Sequence, residues 1–205
     1  MPADENFTRL ETERLILRRF TAEDIDAFVA YRSDSDVASL QSWESYSPKD
    51  GREFLAHQLL IHPCSPGEWF QFAIESKDTG VLIGDCAMHV SDEDPRQAEI
   101  RFTVAPDHQG VGYADEAVAA VLDYLFGEKR LRRVYAMTDV NNAAAIALLD
   151  GLGFRREGTF VESSWFKRRW ASEHLYAMLR REWLDDDEQP PRGSDAGKLL
   201  GRSEH

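Results

Sequence analysis

Cysteine is scarce in this chain. Cys64 and Cys86 are its two members in 205 residues, 22 positions apart and with no partner pair beside either. That spacing suggests neither a zinc site nor a disulfide framework, and it points to a reducing compartment, the cytoplasm. His57, His62, His89, His108 and His174 make no metal-ligand spacing either, so no metal is expected. Long apolar runs are also missing. No stretch approaches the roughly 20 residues that cross a bilayer, and the opening Met-Pro-Ala-Asp-Glu lacks the basic-then-apolar order of a signal peptide, so no membrane partner is expected. Basic residues are outnumbered, 24 Lys and Arg against 37 Asp and Glu, for a net charge of −13. Phosphate backbones are repelled by such a surface, which argues against nucleic acid and favours cationic partners. No internal repeat is present.

What is there is a globular composition, 42% hydrophobic and 11% aromatic, long enough for one domain with a sizeable core. The stretch 99–127 organises it. Ile100, Phe102 and Val104 alternate with Glu99, Arg101 and Thr103, the two-residue period of a half-buried strand that Pro106 stops. From Ala114 the apolar residues Ala117, Val118, Val121, Leu122 and Leu125 form one stripe of a helix expected to end at Gly127. Between the two lies Gln109-Gly110-Val111-Gly112-Tyr113-Ala114. Two glycines keep side chains away from amides that point out of a helix N-terminus, which makes an anion site. The dinucleotide fingerprint needs a third glycine where Asp115 stands, and the phosphate-loop NTPase motif needs a Gly-Lys-Ser/Thr that is absent.

Gln109, Gly112 and Ala114 resemble the Gln/Arg-x-x-Gly-x-Gly/Ala pyrophosphate loop of the GCN5-related N-acetyltransferases. About thirty residues on, Asn141-Asn142-Ala-Ala-Ala-Ile-Ala-Leu-Leu-Asp-Gly-Leu-Gly-Phe resembles that family's Asn-x-x-Ala/Ser…Leu-Gly-Phe segment, and Thr-Glu-Arg-Leu-Ile-Leu-Arg-Arg-Phe near the start is similar to the first strand of its ribosomal-protein alanine/serine (RimJ/RimL-like) branch. The resemblance covers about residues 12–183. It implies an α+β acetyltransferase fold, a mixed and mostly antiparallel sheet flanked by helices, over 1–184. The polar stretch 185–205, with six acidic and three basic residues, is expected to be a disordered tail.

Other elements read in order. Residues 10–20 alternate as a strand; Thr21 with Asp24 makes an approximate capping box for a helix burying Ile25, Phe28 and Val29; 33–47 is loop-like; and Ser47-Pro48 opens a helix to about His62. Trp69–Ser76 and 81–90 form a hairpin around Lys77-Asp78-Thr79-Gly80, 131–139 is a strand, Asn141 or Asn142 caps a short helix ended by Gly151 and Gly153, and 155–165 with 172–180 make a last antiparallel pair.

The resemblance implies transfer of an acetyl group from acetyl-CoA to an amine by direct attack in a ternary complex, by a protein that is a monomer or homodimer. Gln109, Gly110, Val111, Gly112, Tyr113 and Ala114 would cradle the pyrophosphate; Phe102, Thr103 and Val104 would pair with the pantetheine amides, an amide near Val104 serving as oxyanion donor. Asn142 matches the asparagine that touches the pantetheine arm. Lys129, Arg130, Arg132 and Arg133 are candidates for the adenosine 3′-phosphate. Glu99 is the candidate base, with an ion pair to Arg101 as the alternative; Glu162 and Glu44 rank below it. Trp43 and Tyr46 are candidate acceptor-binding residues, ahead of Trp69, Trp165 and Phe166. No proton donor carries over: Leu149 replaces the tyrosine of many N-terminal acetyltransferases and Ala145 the serine common in the ribosomal branch, which leaves another hydroxyl such as Tyr113, Ser163 or Ser164, or departure of the thiolate with help only from solvent and the backbone. The acceptor is a protein N-terminus, a small amine or an antibiotic amino group. The alternative is a non-catalytic acyl-CoA-binding or regulatory module.

Overall fold

The computed structural model describes residues 2–39 and 46–184. Eight strands form one sheet in the order β1-β2-β3-β4-β5-β6-β8-β7. They are β1 (Arg9–Glu11), β2 (Leu15–Arg18), β3 (Trp69–Ser76), β4 (Leu82–Val90), β5 (Gln97–Val104), β6 (Arg133–Asp139), β7 (Arg155–Phe166) and β8 (Arg169–Leu179). Every pairing is antiparallel except β5 with β6. The α+β mixed sheet expected from the sequence is therefore what forms.

The two faces are covered by different helices. On one, α4 (Tyr113–Leu122) lays Ala117, Val118, Val121 and Leu122 against Phe72, Met88, Ile100 and Val134, and α5 (Ala143–Gly151) adds Leu148 and Leu149. On the other, α1 (Ile25–Ser33) and α3 (Pro48–Gln58) pack Phe28 and Leu55 with Phe20, Ala73 and Leu82. The short α2 (Ser35–Ser39) and α6 (Arg180–Leu184) complete the set. The capping signals are used as read. Ser47 and Asp50 close a capping box with Pro48 in the first turn, Thr21 and Asp24 do the same ahead of a short 3₁₀ turn (Ala22–Asp24), and the Asn142 side chain accepts from the Ala145 N–H at 3.1 Å.

Four boundaries differ from the sequence reading. The expected strand 10–20 is a hairpin, β1 and β2, because Thr12 exchanges hydrogen bonds with Leu15 through its backbone N–H and its hydroxyl and closes a turn over Thr12-Glu13-Arg14. The region 33–47 holds α2, and its residues 40–45 lie outside the described set. The third helix ends at Gln58, short of His62. Gly127 does not end the central helix; Asp123–Glu128 widens into a π turn, in which the Lys129 N–H reaches back five residues to the Tyr124 carbonyl at 2.9 Å.

Candidate active site

The site begins where β5 and β6 part. Their parallel pairing covers three residue pairs, Gln97 with Arg133, Ala98 with Val134 and Glu99 with Tyr135. Beyond it β5 stays with β4 as far as Val104, and β6 stays with β8 as far as Asp139. Gly84 opposes Val104 and permits the close approach of β4 to β5, since a Cβ there would meet the Thr103 carbonyl at 2.3 Å. The Ala105 N–H donates to the Ile83 carbonyl at 2.8 Å. By the alternation of an antiparallel ladder, the peptide groups of Phe102 and Val104 then turn away from β4 and into the opening between β5 and β6.

A cavity of about 990 Å³ fills that opening. On the α4 and α5 side it is lined by Ile100, Phe102, Ala136, Thr138, Asn142, Ala145, Leu148 and Leu149; on the opposite side it reaches Arg101, Thr103, Met137, Asp139, Phe166 and Glu173. At one end lies the glycine loop. Gly110 and Gly112 have φ of +75° and +84°, values that a side chain would strain. Among the described residues no acceptor meets the amides of Gly110, Val111 or Gly112, and no side chain caps α4. Those free donors, at the positive end of a ten-residue helix, fit a phosphate-bearing ligand. Gln109 holds the loop to the strand end by donating its Nε2–H to the Val104 carbonyl at 2.8 Å.

Among the residues expected to hold the cofactor, Phe102, Thr103, Val104, Gln109, Gly110, Gly112, Tyr113, Ala114 and Asn142 line the cavity together. Val111 does not. Its side chain is exposed and its carbonyl accepts from Arg14 Nη1 at 2.8 Å. Glu99 does not line the cavity either: its carboxylate takes the Arg101 Nε–H at 2.9 Å, and it is Arg101 that reaches the mouth. Tyr46 stacks edge-on to Phe28 at 5.6 Å in the packing of α1 and α3, away from the cavity lining. Trp43 and Glu44 lie outside the described residues. Trp69 stacks on His89 and lies under Arg101 at 4.2 Å, while Trp165 is exposed beside Trp170. Of the basic cluster, Lys129 pairs with Asp4 and Arg133 with Glu157.

Three residues of the lining, Glu173, Asp139 and Val37, were not singled out from sequence. Glu173 faces Asp139 across β6 and β8, so both carboxylates stand on one face of the sheet at the cavity mouth. Asp139 is neutralised by Arg169 at 2.9 Å; burial works to raise its pKa, but hydrogen bonds from Asn141 and Arg169 outweigh burial and lower it. Glu173 has no ion pair among the described residues. Val37 of α2 borders the same mouth, and Lys167 at the β7–β8 turn donates to the Ala38 carbonyl at 2.5 Å, holding the hairpin over it. A strand pattern gives Glu173 a face, but only the pairing of β6 with β8 supplies the neighbour.

The model of the GNAT acetyltransferase domain matches residues 14–155, which include the loop, Asn142 and the β5, β6 and α5 walls of the cavity, while Ser164, Phe166, Ala171 and Glu173 of its lining lie beyond the match. The chain belongs to this family. An uncharacterized N-acetyltransferase, p20, of Bacillus licheniformis is 31% identical over 175 residues, 85% of this chain and 97% of its own length. A GNAT-family acetyltransferase from Bacillus anthracis superposes with a TM-score of 0.77 at 28% identity, over 85% of this chain and 100% of that one. Spermidine N-acetyltransferase from Vibrio cholerae, solved in complex with CoA and spermine, superposes with a TM-score of 0.72 at 25% identity over 84% and 99%. Ribosomal-protein and spermidine acetyltransferases both stand among the relatives of this GNAT chain, so membership alone does not choose an acceptor. No helix among the described residues is long and apolar enough to cross a membrane, and none of their His, Cys, Asp and Glu side chains gather into a metal-binding cluster.

Proposed function

We propose that this GNAT protein transfers the acetyl group of acetyl-CoA to a cationic primary amine that enters past Glu173. One observation carries the reading: a single cavity joins unpaired loop amides at one end to an unpaired carboxylate at the other, through a sheet opened between β5 and β6. In this reading Gly110, Gly112 and Tyr113 receive the diphosphate, and the inward peptide groups of Phe102 and Val104 align the pantetheine arm as a strand would. The Val104 N–H then stands near the thioester carbonyl, where one such donor is worth about 3 kcal/mol to an acyl-transfer transition state. Asn142 spends its oxygen on the helix cap and offers its Nδ2–H to the arm.

An amine with a pKa near 10 is charged at neutral pH and does not attack, so it needs a proton acceptor. Glu173, rather than the Arg101-bound Glu99, takes that part and first attracts the ammonium group. Glu99 keeps Arg101 in place at the mouth. The leaving thiolate finds hydroxyls in the cavity lining at Tyr113, Thr138 and Ser164, with Leu149 and Ala145 filling the places that in other members carry a donor.

The test is thiol release from acetyl-CoA over a panel of amines: diamines and polyamines, peptides with free N-termini, and aminoglycosides, with acetyl-CoA binding followed in parallel by calorimetry. Turnover with cationic amines supports the reading. Tight binding with no release across the panel supports a non-catalytic acyl-CoA module, and absence of binding removes the cofactor assignment altogether.

A further inference from the structure

The glycine loop is braced from outside by a residue far away in sequence. Arg14 sits in the β1–β2 turn, and its side chain makes two contacts with the loop of residues 109–114 and one with the first turn of α4 behind it. Nη1 donates to the Val111 carbonyl at 2.8 Å, Nε donates to Glu116 Oε2 at 2.6 Å, and the guanidinium lies over the Tyr113 ring at 4.7 Å. Glu116, in the first turn of α4, is held in turn by the Thr12 hydroxyl and by the Arg14 backbone N–H at 2.8 Å. Neither Arg14 nor Val111 lines the cavity, whereas Gly110, Gly112 and Tyr113 do.

The geometry of a trans peptide gives this brace a consequence. The Val111 carbonyl and the Gly112 N–H belong to one planar unit and point in opposite directions. Fixing the carbonyl outward on Arg14 therefore fixes the Gly112 N–H on the far side. Gly112 also has a left-handed φ of +84° and no side chain to restrict rotation of the flanking peptides, so the loop's own sequence leaves that plane free to turn. A second effect is electrostatic. Two carboxylates in the first turn of α4, Asp115 and Glu116, oppose an anion bound at the same helix end, and Arg14 cancels that of Glu116; hydrogen bonding between Arg14 and Glu116 raises the pKa of Arg14 and helps to lower that of Glu116, so both are ionised near neutrality.

We propose that Arg14 is a positioning residue for cofactor affinity: by holding the Val111 carbonyl and neutralising Glu116, it sets the Gly112 amide toward the diphosphate without touching the ligand. The proposal rests on the reading of the loop as the acetyl-CoA diphosphate site. It assigns the β1–β2 hairpin a part in cofactor binding, although its strands are the farthest in the sheet from the opening on that side.

The experiment compares two acetyl donors, acetyl-CoA and S-acetyl-pantetheine, which lacks the diphosphate, in the wild-type chain and in Arg14→Ala and Arg14→Lys. The expected result is a tenfold or greater rise in the Kd and KM for acetyl-CoA in Arg14→Ala, with kcat at saturating acetyl-CoA unchanged. A smaller rise is expected in Arg14→Lys, which keeps the charge but cannot make the two-pronged contact. With S-acetyl-pantetheine, kcat/KM stays at the wild-type value in both variants. Equal losses with the two donors would reduce Arg14 to general scaffolding and overturn the proposal, as would unchanged acetyl-CoA affinity. Failure of the wild-type chain to bind acetyl-CoA would instead overturn the functional reading on which it rests.

Discussion

At Gly112 one backbone angle sets the shape of the loop that the proposed function assigns to the diphosphate. Any β-branched replacement must leave the left-handed region or strain to remain there, and its Cβ would stand 3.4 Å from Arg14 Nη2. Gly112→Val is expected to weaken acetyl-CoA binding tenfold or more, measured by calorimetry, with the circular dichroism spectrum unchanged. At the other end of the cavity, Glu173→Gln is expected to lower kcat/KM for a cationic amine at least tenfold, about 1.4 kcal/mol, while the KM for acetyl-CoA stays put. Glu99→Gln is expected to do less, since its carboxylate is already committed to Arg101. The difference between these two glutamates also measures what single residues disclose. Gly110, Gly112 and Asn142 were legible because local geometry alone demands such residues at a loop and a cap. Glu173 and Arg14 were not, since each is placed by a neighbour more than thirty positions away.

Elements were read well where a short-range rule governs them. Alternation gave β3, β5 and β6, and the Ser47-Pro48 and Asn142 caps gave two helix starts. Reading failed where tertiary contacts reset a boundary, as at the Thr12 turn and at the π turn after α4. The attachment of α1 to β4 was equally invisible, because it is made by buried polar groups. Arg32 and Asp85, 6% and 3% exposed, form an ion pair at 3.2 Å; the Tyr31 hydroxyl donates to the same carboxylate at 2.5 Å, and the Arg32 guanidinium lies 4.4 Å over Phe28. Burial first, and then the Asp85 charge, push the Tyr31 phenol well above its ordinary value, so it stays a donor. Asp85→Ala strips this cluster of its carboxylate and is expected to cost about 3–5 kcal/mol, read from denaturant midpoints. Tyr31→Phe, which removes one hydrogen bond, is expected to cost about 1 kcal/mol.

Over the whole molecule, carboxylates hold distant segments together, and this sets the response to acid. Burial alone would raise the pKa of Asp24 and of Glu116, but hydrogen bonds from Arg18 to the first, and from Thr12 and Arg14 to the second, outweigh it and leave both lowered; Glu157 is lowered chiefly by Arg133. A folded pKa below the unfolded one lends stability that is complete above the ordinary carboxylate range and vanishes as pH falls through the folded value. Unfolding midpoints are therefore expected to be flat near neutrality and to fall progressively as the pH drops below about 5. The breadth of the fold was legible for a plain reason: strand and helix periods follow from local chemistry, whereas the gap between β5 and β6 is a relation between two strands that no single segment encodes. That gap leaves two rows of backbone without a strand partner in the middle of a sheet, the kind of rim that at a sheet's outer border invites other polypeptides to stick. Here α4 and α5 roof one side, and the hairpin fastened to Ala38 crosses the other. The protein thus keeps an adhesive seam in its interior, shielded from strangers and reachable end-on by a slender thread.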